Sequence, residues 1–203
     1  MTDDRPDFVK RRFLRRATVI LGGVGAVFVA TPFVLSMNPG ARAKAEGGPV
    51  EVDIGRLEDG QALTIEWRRK PVWIVQRTAE MLAGLERNDG ILADPASRVA
   101  SQQPPYALNP YRSIKPEILV LVGICTHLGC VPAQHLAPGT ASGLGDEWPG
   151  GWFCHCHGSK FDFAGRVFKN VPASTNLVVL PYAFLSDTRL LIGASPVDVP
   201  KAG

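Results

Sequence analysis

The chain of 203 residues carries no excess of charge once its first sixteen positions are set aside. Residues 1–16 hold six Lys/Arg against three Asp, and the remainder holds sixteen of each sign. The net charge of +3 therefore belongs to the N-terminal tail. No stripe of Lys and Arg interleaved with aromatics occurs, which argues against nucleic acid as a partner. Cys-x-x-Cys is missing, and with it a thioredoxin-type redox pair and a c-type haem attachment site. No internal repeat is present. Cysteine is scarce, at four residues, and so is histidine, also at four.

What is abundant points to a β-rich fold. Hydrophobic residues make up 45%, enough to build a core. The 21 glycines and 17 prolines are spread along the chain, as turns and irregular loops would need. They are too dispersed for collagen or a low-complexity linker.

Residues 17–37, ATVILGGVGAVFVATPFVLSM, contain no charge. As a helix they would cover roughly 30 Å, the thickness of a bilayer core, so a transmembrane helix is expected here. A buried core helix of this length would normally show a polar face. Pro32 and the glycines at 22, 23 and 25 are tolerated in membrane helices. Cationic residues precede the span, whereas only Arg42 and Lys44 follow closely. The positive-inside rule then places tail 1–16 in the cytoplasm and everything after residue 38 across the membrane. Within the tail, Lys10-Arg11-Arg12-Phe13-Leu14-Arg15 resembles a twin-arginine export signal, Arg-Arg-x-Phe-Leu-Lys. The register departs from that form: aligning Phe13-Leu14 makes the pair Lys10-Arg11. A plain basic flank is the competing reading. Such export carries proteins that are already folded. Ala41-Arg42-Ala43 and Ala43-Lys44-Ala45 are formal cleavage matches, but the signal is expected to remain as an anchor.

Residues 38–49 read as a flexible hinge, and 50–203 as a soluble head. VEVDI (50–54), ALTIEW (62–67) and PVWIVQR (71–77) are expected strands. Thr78–Arg87 is the best helix candidate, with Thr78 as its cap. Residues 88–115 read as a long irregular loop. ILVLVGI (118–124) is a buried strand leading into Cys125, and WFC (152–154) leads into Cys154. LVVLPY and RLLIG follow, with Ser186-Asp187-Thr188 as a hairpin turn. Arg77 is expected at the surface and Trp67 in the core.

The chemistry is confined to two short loops. The first reads Cys125-Thr126-His127-Leu128-Gly129-Cys130 and the second Cys154-His155-Cys156-His157-Gly158-Ser159. Each has a Cys and a His close enough to bind one metal ion, plus a further Cys. A structural zinc site would use four of these residues. Two plain disulfides would leave the histidines without a role. A [2Fe–2S] cluster held by two Cys on one iron and two His on the other takes one pair from each loop. A zinc-stabilised adaptor with no redox role stays open on the residues alone.

The paired motif, C-T-H-L-G-C followed by C-x-C-H-G-S, resembles the Rieske iron–sulfur proteins of cytochrome bc1 complexes. The likeness covers nearly the whole chain. It implies a mainly β fold: a Rieske-type antiparallel β-sandwich head with a small cluster-binding subdomain at about 123–175, plus one N-terminal transmembrane helix. It implies one [2Fe–2S] cluster, with Cys125 and Cys154 on the inner iron and His127 and His157 on the outer one. Cys130 and Cys156 would form a disulfide tying the loops together, which suits the oxidising side of the membrane. Ser159 matches a serine whose hydroxyl bonds a bridging sulfide, Leu128 would shield the cluster, and Val171-Pro172-Ala173 corresponds to a loop covering the site. Where relatives often have a Tyr donating to a cysteine sulfur, this chain has Phe161. His155 stands where the family often has Pro and is read as a non-ligand. His135 is read as a solvated loop residue. The 23 residues between Cys130 and Cys154 are read as a surface insertion.

By that resemblance the chain is a catalytic subunit of a quinol–cytochrome c reductase. His157, with His127 beside it, would take a proton from ubiquinol as the cluster takes an electron for cytochrome c1. Cytochrome b and cytochrome c1 subunits in a dimeric complex would be its partners. Its place would be the bacterial inner membrane, with the head periplasmic. The small Rieske subunit of another exported oxidoreductase, such as arsenite oxidase, is the main rival. A soluble Rieske ferredoxin would lack the two extra cysteines and the anchor.

Overall fold

The structure is a computed structural model that describes residues 7–40 and 47–199. The chain divides into two compact units, 1–46 and 47–203. The segment read as a hinge, 38–49, therefore lies partly outside the described residues.

In the first unit, helix α1 (Phe8–Ser36) is long and apolar enough to cross a membrane. It starts ahead of the uncharged run because Asp7 caps it: the carboxylate accepts from the backbone N–H groups of Val9 and Lys10 at 3.0 and 3.1 Å. No side chain of α1 is buried. The hydroxyls of Thr18 and Thr31 donate to the carbonyls of Leu14 and Val27, four residues back, so they present no unpaired donor to an apolar surrounding.

The second unit is built from three antiparallel sheets of three strands each. The first contains β1 (Val50–Asp53), with β8 (Tyr182–Ser186) and β9 (Arg189–Ile192), in the order β1-β9-β8. The second runs β2 (Ala62–Trp67), β3 (Lys70–Gln76), β4 (Ile118–Val122). Arg68 and Arg69, both at positive φ, make the tight turn that pairs Trp67 with Lys70. All five residues of β4 are buried, as an unbroken apolar run demands. Helix α2 (Ala79–Arg87) follows β3, and the Thr78 hydroxyl accepts from the Met81 N–H at its start. The third sheet, β5 (Ala133–His135), β6 (Gly151–Cys154), β7 (Ser159–Phe161), carries the second motif loop as its β6–β7 hairpin.

One apolar core joins the three sheets. Trp73 of β3 stacks on Trp152 of β6, ring centroids 5.5 Å apart and 5° from parallel. Gly123, just after β4, makes room for this pair, because a Cβ there would fall 2.4 Å from the Trp73 ring. The stack thus ties β6, which opens the second motif loop, to β3, whose Trp73 pairs with Leu121 of β4, the strand that precedes the first.

The long irregular stretches need partners for their backbone carbonyls, and three buried arginines supply them. Arg77 is 2% exposed, not at the surface as expected. It donates to the carbonyls of Tyr111, Phe163 and Pro116 and to the Ser113 hydroxyl. Arg112 donates to the carbonyls of Gln102, Ala164, Gly165 and Leu177. Burial pushes both guanidinium groups down to about 10, still fully charged at neutral pH. Arg166 pairs with buried Asp162 at 2.8 Å and reaches the Leu85 carbonyl at the end of α2 at 2.6 Å.

Other expectations shift in detail. Of LVVLPY, residues 177–181 are not a strand, and Tyr182 opens β8. Within 177–181 the N–H groups go singly to outside carbonyls, Leu177 to Gly165 and Val179 to Gln102, and Pro181 has none to give. The hairpin partner of β9 is instead YAFLS, β8. Ahead of β1, the Trp67 indole N–H donates to the Gly48 carbonyl and the Arg68 guanidinium to that of Gly47.

Removing Arg166 strands a buried carboxylate. Arg166→Met should cost about 3–5 kcal/mol of stability. Denaturant unfolding followed by tryptophan fluorescence measures it, and an unchanged midpoint would count against this role for the pair.

Candidate metal centre

The two motif loops share one local plan. In the first, the Gly129 N–H donates to the Cys125 carbonyl at 3.1 Å, and the Cys125 N–H donates to the Cys130 carbonyl at 2.7 Å. In the second, the Gly158 N–H donates to the Cys154 carbonyl at 2.8 Å. Each turn closes on a glycine at positive φ, 87° and 80°. A side chain at either position would be strained, so the glycines are part of the loop geometry.

Strand ends position the donors. Cys125 follows the end of β4 and Cys154 is the last residue of β6, opposite Ser159. Both thiols are buried, at 2% exposure each, and free. Burial pushes the Cys125 thiol above its ordinary range, while the His127 backbone N–H and the Ser159 hydroxyl pull it back. Loading a metal there must displace that proton. Cys130 and Cys156 are bonded to each other across the two loops, Cα atoms 6.7 Å apart. His127 is half-buried and His157 exposed. Their rings meet edge to face with centroids 4.8 Å apart. The arrangement puts two thiols inside and two imidazoles outside, with the other two cysteines occupied by their own bond.

A third segment ties down both loops. The Thr126 hydroxyl donates to the Thr175 carbonyl at 2.6 Å, and the Ala173 N–H donates to the Ser159 hydroxyl at 3.0 Å. The segment 171–175 is thereby fastened to one residue from each loop, through Thr175 to Thr126 and through Ala173 to Ser159. Leu128 is 72% exposed, so its side chain offers bare apolar surface beside the imidazoles. Phe161 is fully buried in β7.

His135 is not a solvated loop residue. It ends β5, pairs with Gly151, and is half-buried. The insertion around it is ordered by Trp148, whose indole N–H donates to the His135 carbonyl at 2.9 Å and whose ring stacks on Phe168. Three residues are too short a strand to announce itself by alternation. The aromatic Trp148 in an otherwise polar Gly/Pro-rich segment was the available signal.

The donor set fits a cluster with unequal ends. Two thiolates on one iron and two imidazoles on the other is the ligation of a Rieske centre. The chain's similarities agree. Residues 1–40 match the ubiquinol–cytochrome c reductase Fe–S subunit TAT-signal family, and residues 92–181 match the Rieske [2Fe-2S] domain family. The ubiquinol–cytochrome c reductase iron–sulfur subunit of Allochromatium vinosum is 57% identical over 91% of this chain and 88% of its own length. The subunit of the same name from Blastochloris viridis is 41% identical over 95% and 97%. Among solved structures, a chain of a hyperthermophilic respiratory complex III aligns over 87% of this chain and 98% of its own, at 20% identity and TM-score 0.47.

If the family's Tyr contact to a cysteine sulfur carries over, a hydroxyl at the Phe161 position would add one donor to the cluster and favour the reduced, more negative centre. One such bond is worth about 1–2 kcal/mol, so Phe161→Tyr should raise the midpoint by about 40–90 mV. A redox titration that shows no rise removes Phe161 as a determinant of the potential.

Proposed function

We propose a role for this chain from the fact that it belongs to the Rieske iron–sulfur subunits of ubiquinol–cytochrome c reductase: it takes one electron, with a proton, from ubiquinol and passes the electron to cytochrome c1. The observation that carries the reading is the pair of buried free thiols behind two outward imidazoles. Cys125 and Cys154 would hold one iron of a [2Fe–2S] cluster, and His127 and His157 the other. When bound, the cluster supplies a one-electron acceptor of raised potential, because two neutral imidazoles leave it less negative than four thiolates would.

The chain's own residues supply the rest. His157 is exposed; held through one ring nitrogen, it would first have to give up the N–H proton of the other, and that freed nitrogen would then accept a hydrogen bond and the proton of the quinol hydroxyl. His127 packs edge-on against it and fixes the ring it faces. Leu128 gives the docking surface an apolar contact. The Cys130–Cys156 bond holds the two loops in register while the head meets its partners. Ser159 and Ala173 keep the covering segment in place.

The N-terminal helix, inside a match to a twin-arginine signal family, fits a membrane-anchored exported protein. The finer topology belongs to the proposal: tail in the cytoplasm, one pass through the bacterial inner membrane, 38–49 as the link, and the head in the periplasm. Cytochrome b and cytochrome c1 subunits of a dimeric complex are the proposed partners.

The test is EPR spectroscopy of dithionite-reduced membranes with and without a quinol-site inhibitor. The reduced-cluster signal should appear and shift when inhibitor binds. A signal that ignores the inhibitor would point to an exported oxidoreductase without quinol contact. Zinc in place of iron and labile sulfide would end the redox reading.

A further inference from the structure

We propose that His135 and His155 form a second metal site, one that takes a single divalent ion of the Zn²⁺ or Cu²⁺ type at the flank of the third sheet. Neither residue belongs to the proposed cluster ligand set. Their Nε2 atoms lie 3.4 Å apart. That is beyond the usual range of about 2.7–3.2 Å for N–H donors, at the outer limit of a hydrogen bond. It is the spacing of two adjacent ligands on one ion: tetrahedral zinc with Zn–N of about 2.0–2.1 Å separates two imidazole nitrogens by about 3.3–3.4 Å.

The ring orientations support ligation. The Nδ1 of His135 lies 3.0 Å from the Ser142 carbonyl oxygen. A carbonyl can only accept, so in the neutral ring Nδ1 carries the hydrogen and Nε2 holds a free lone pair. Histidine ligands are commonly held this way, the second ring nitrogen donating to a backbone carbonyl. The Phe153 ring meets both imidazoles near edge-on, 80° to His135 and 89° to His155, and so limits their rotation. His155 is exposed, so an ion can enter from solvent and keep water in its remaining positions. Bound there, it would bridge β5 of the insertion to the Cys154–Ser159 loop.

The test uses the full-length holoprotein in detergent with its cluster oxidised. Titrated with Zn²⁺ alone in a calorimeter, the unaltered protein should bind an ion whose affinity falls at least tenfold in His155→Gln and in His135→Gln. With one equivalent of Cu²⁺, EPR should show splitting from two imidazole nitrogens, lost or reduced in each variant. Visible circular dichroism of the oxidised cluster reports that each variant is folded. Should His135→Gln fail to assemble, the exposed His155→Gln decides alone. No binding by the unaltered protein, or equal affinity in His155→Gln, overturns the site.

Discussion

The structure depends on holding two short loops face to face so that their cysteine sulfurs turn inward and their imidazoles outward. Neither loop could do this alone. Each is a tight turn closed by a glycine N–H onto the carbonyl of its first cysteine, and such turns are marginal without support. The Cys130–Cys156 bond joins them, the Trp73–Trp152 stack ties β6 to β3, the neighbour of β4, and residues 171–175 strap them from the third side. Burial does the sorting: the thiols sit where water is excluded, while His157 stays at the surface where a substrate can meet it.

That arrangement is expensive in irregular backbone. The stretch between α2 and β4 and the segment after β7 have little ladder to satisfy their carbonyls. Arg77, Arg112 and Arg166 meet the need by sending planar forks of donors into the interior. A lysine would serve poorly, because one ammonium cannot reach several carbonyls lying in different directions. The buried charge of Arg166 is balanced by Asp162, which also caps two backbone N–H groups of the turn that follows β7. The framework around the metal centre is therefore polar as well as apolar.

How far each part was legible follows from the range of the interaction behind it. Strand Ala62–Trp67, the buried run Ile118–Val122 and the Thr78-capped helix are local patterns, and they were readable to within a residue or two. The metal loops were readable because ligand spacing is itself a sequence property. Arg77 was misread, since nothing near it in the chain shows that its partners lie 34 to 86 residues away. LVVLPY was misread because β-branched residues favour extended backbone whether or not a neighbouring strand exists to pair with it. His135 was misread because its partner, His155, is twenty residues distant.

The sequence by itself determined the long apolar stretch of the N-terminal helix, the β-rich head and the two Cys/His loops, since each is written in contiguous residues whose periodicity or spacing carries the physics. Only the tertiary structure decided which side chains share an environment. It placed the two free thiols together in the interior, hid three arginines among distant carbonyls, and brought His135 to His155. Those outcomes depend on long-range packing, where the energy of a contact is set by residues that the local chain does not contain.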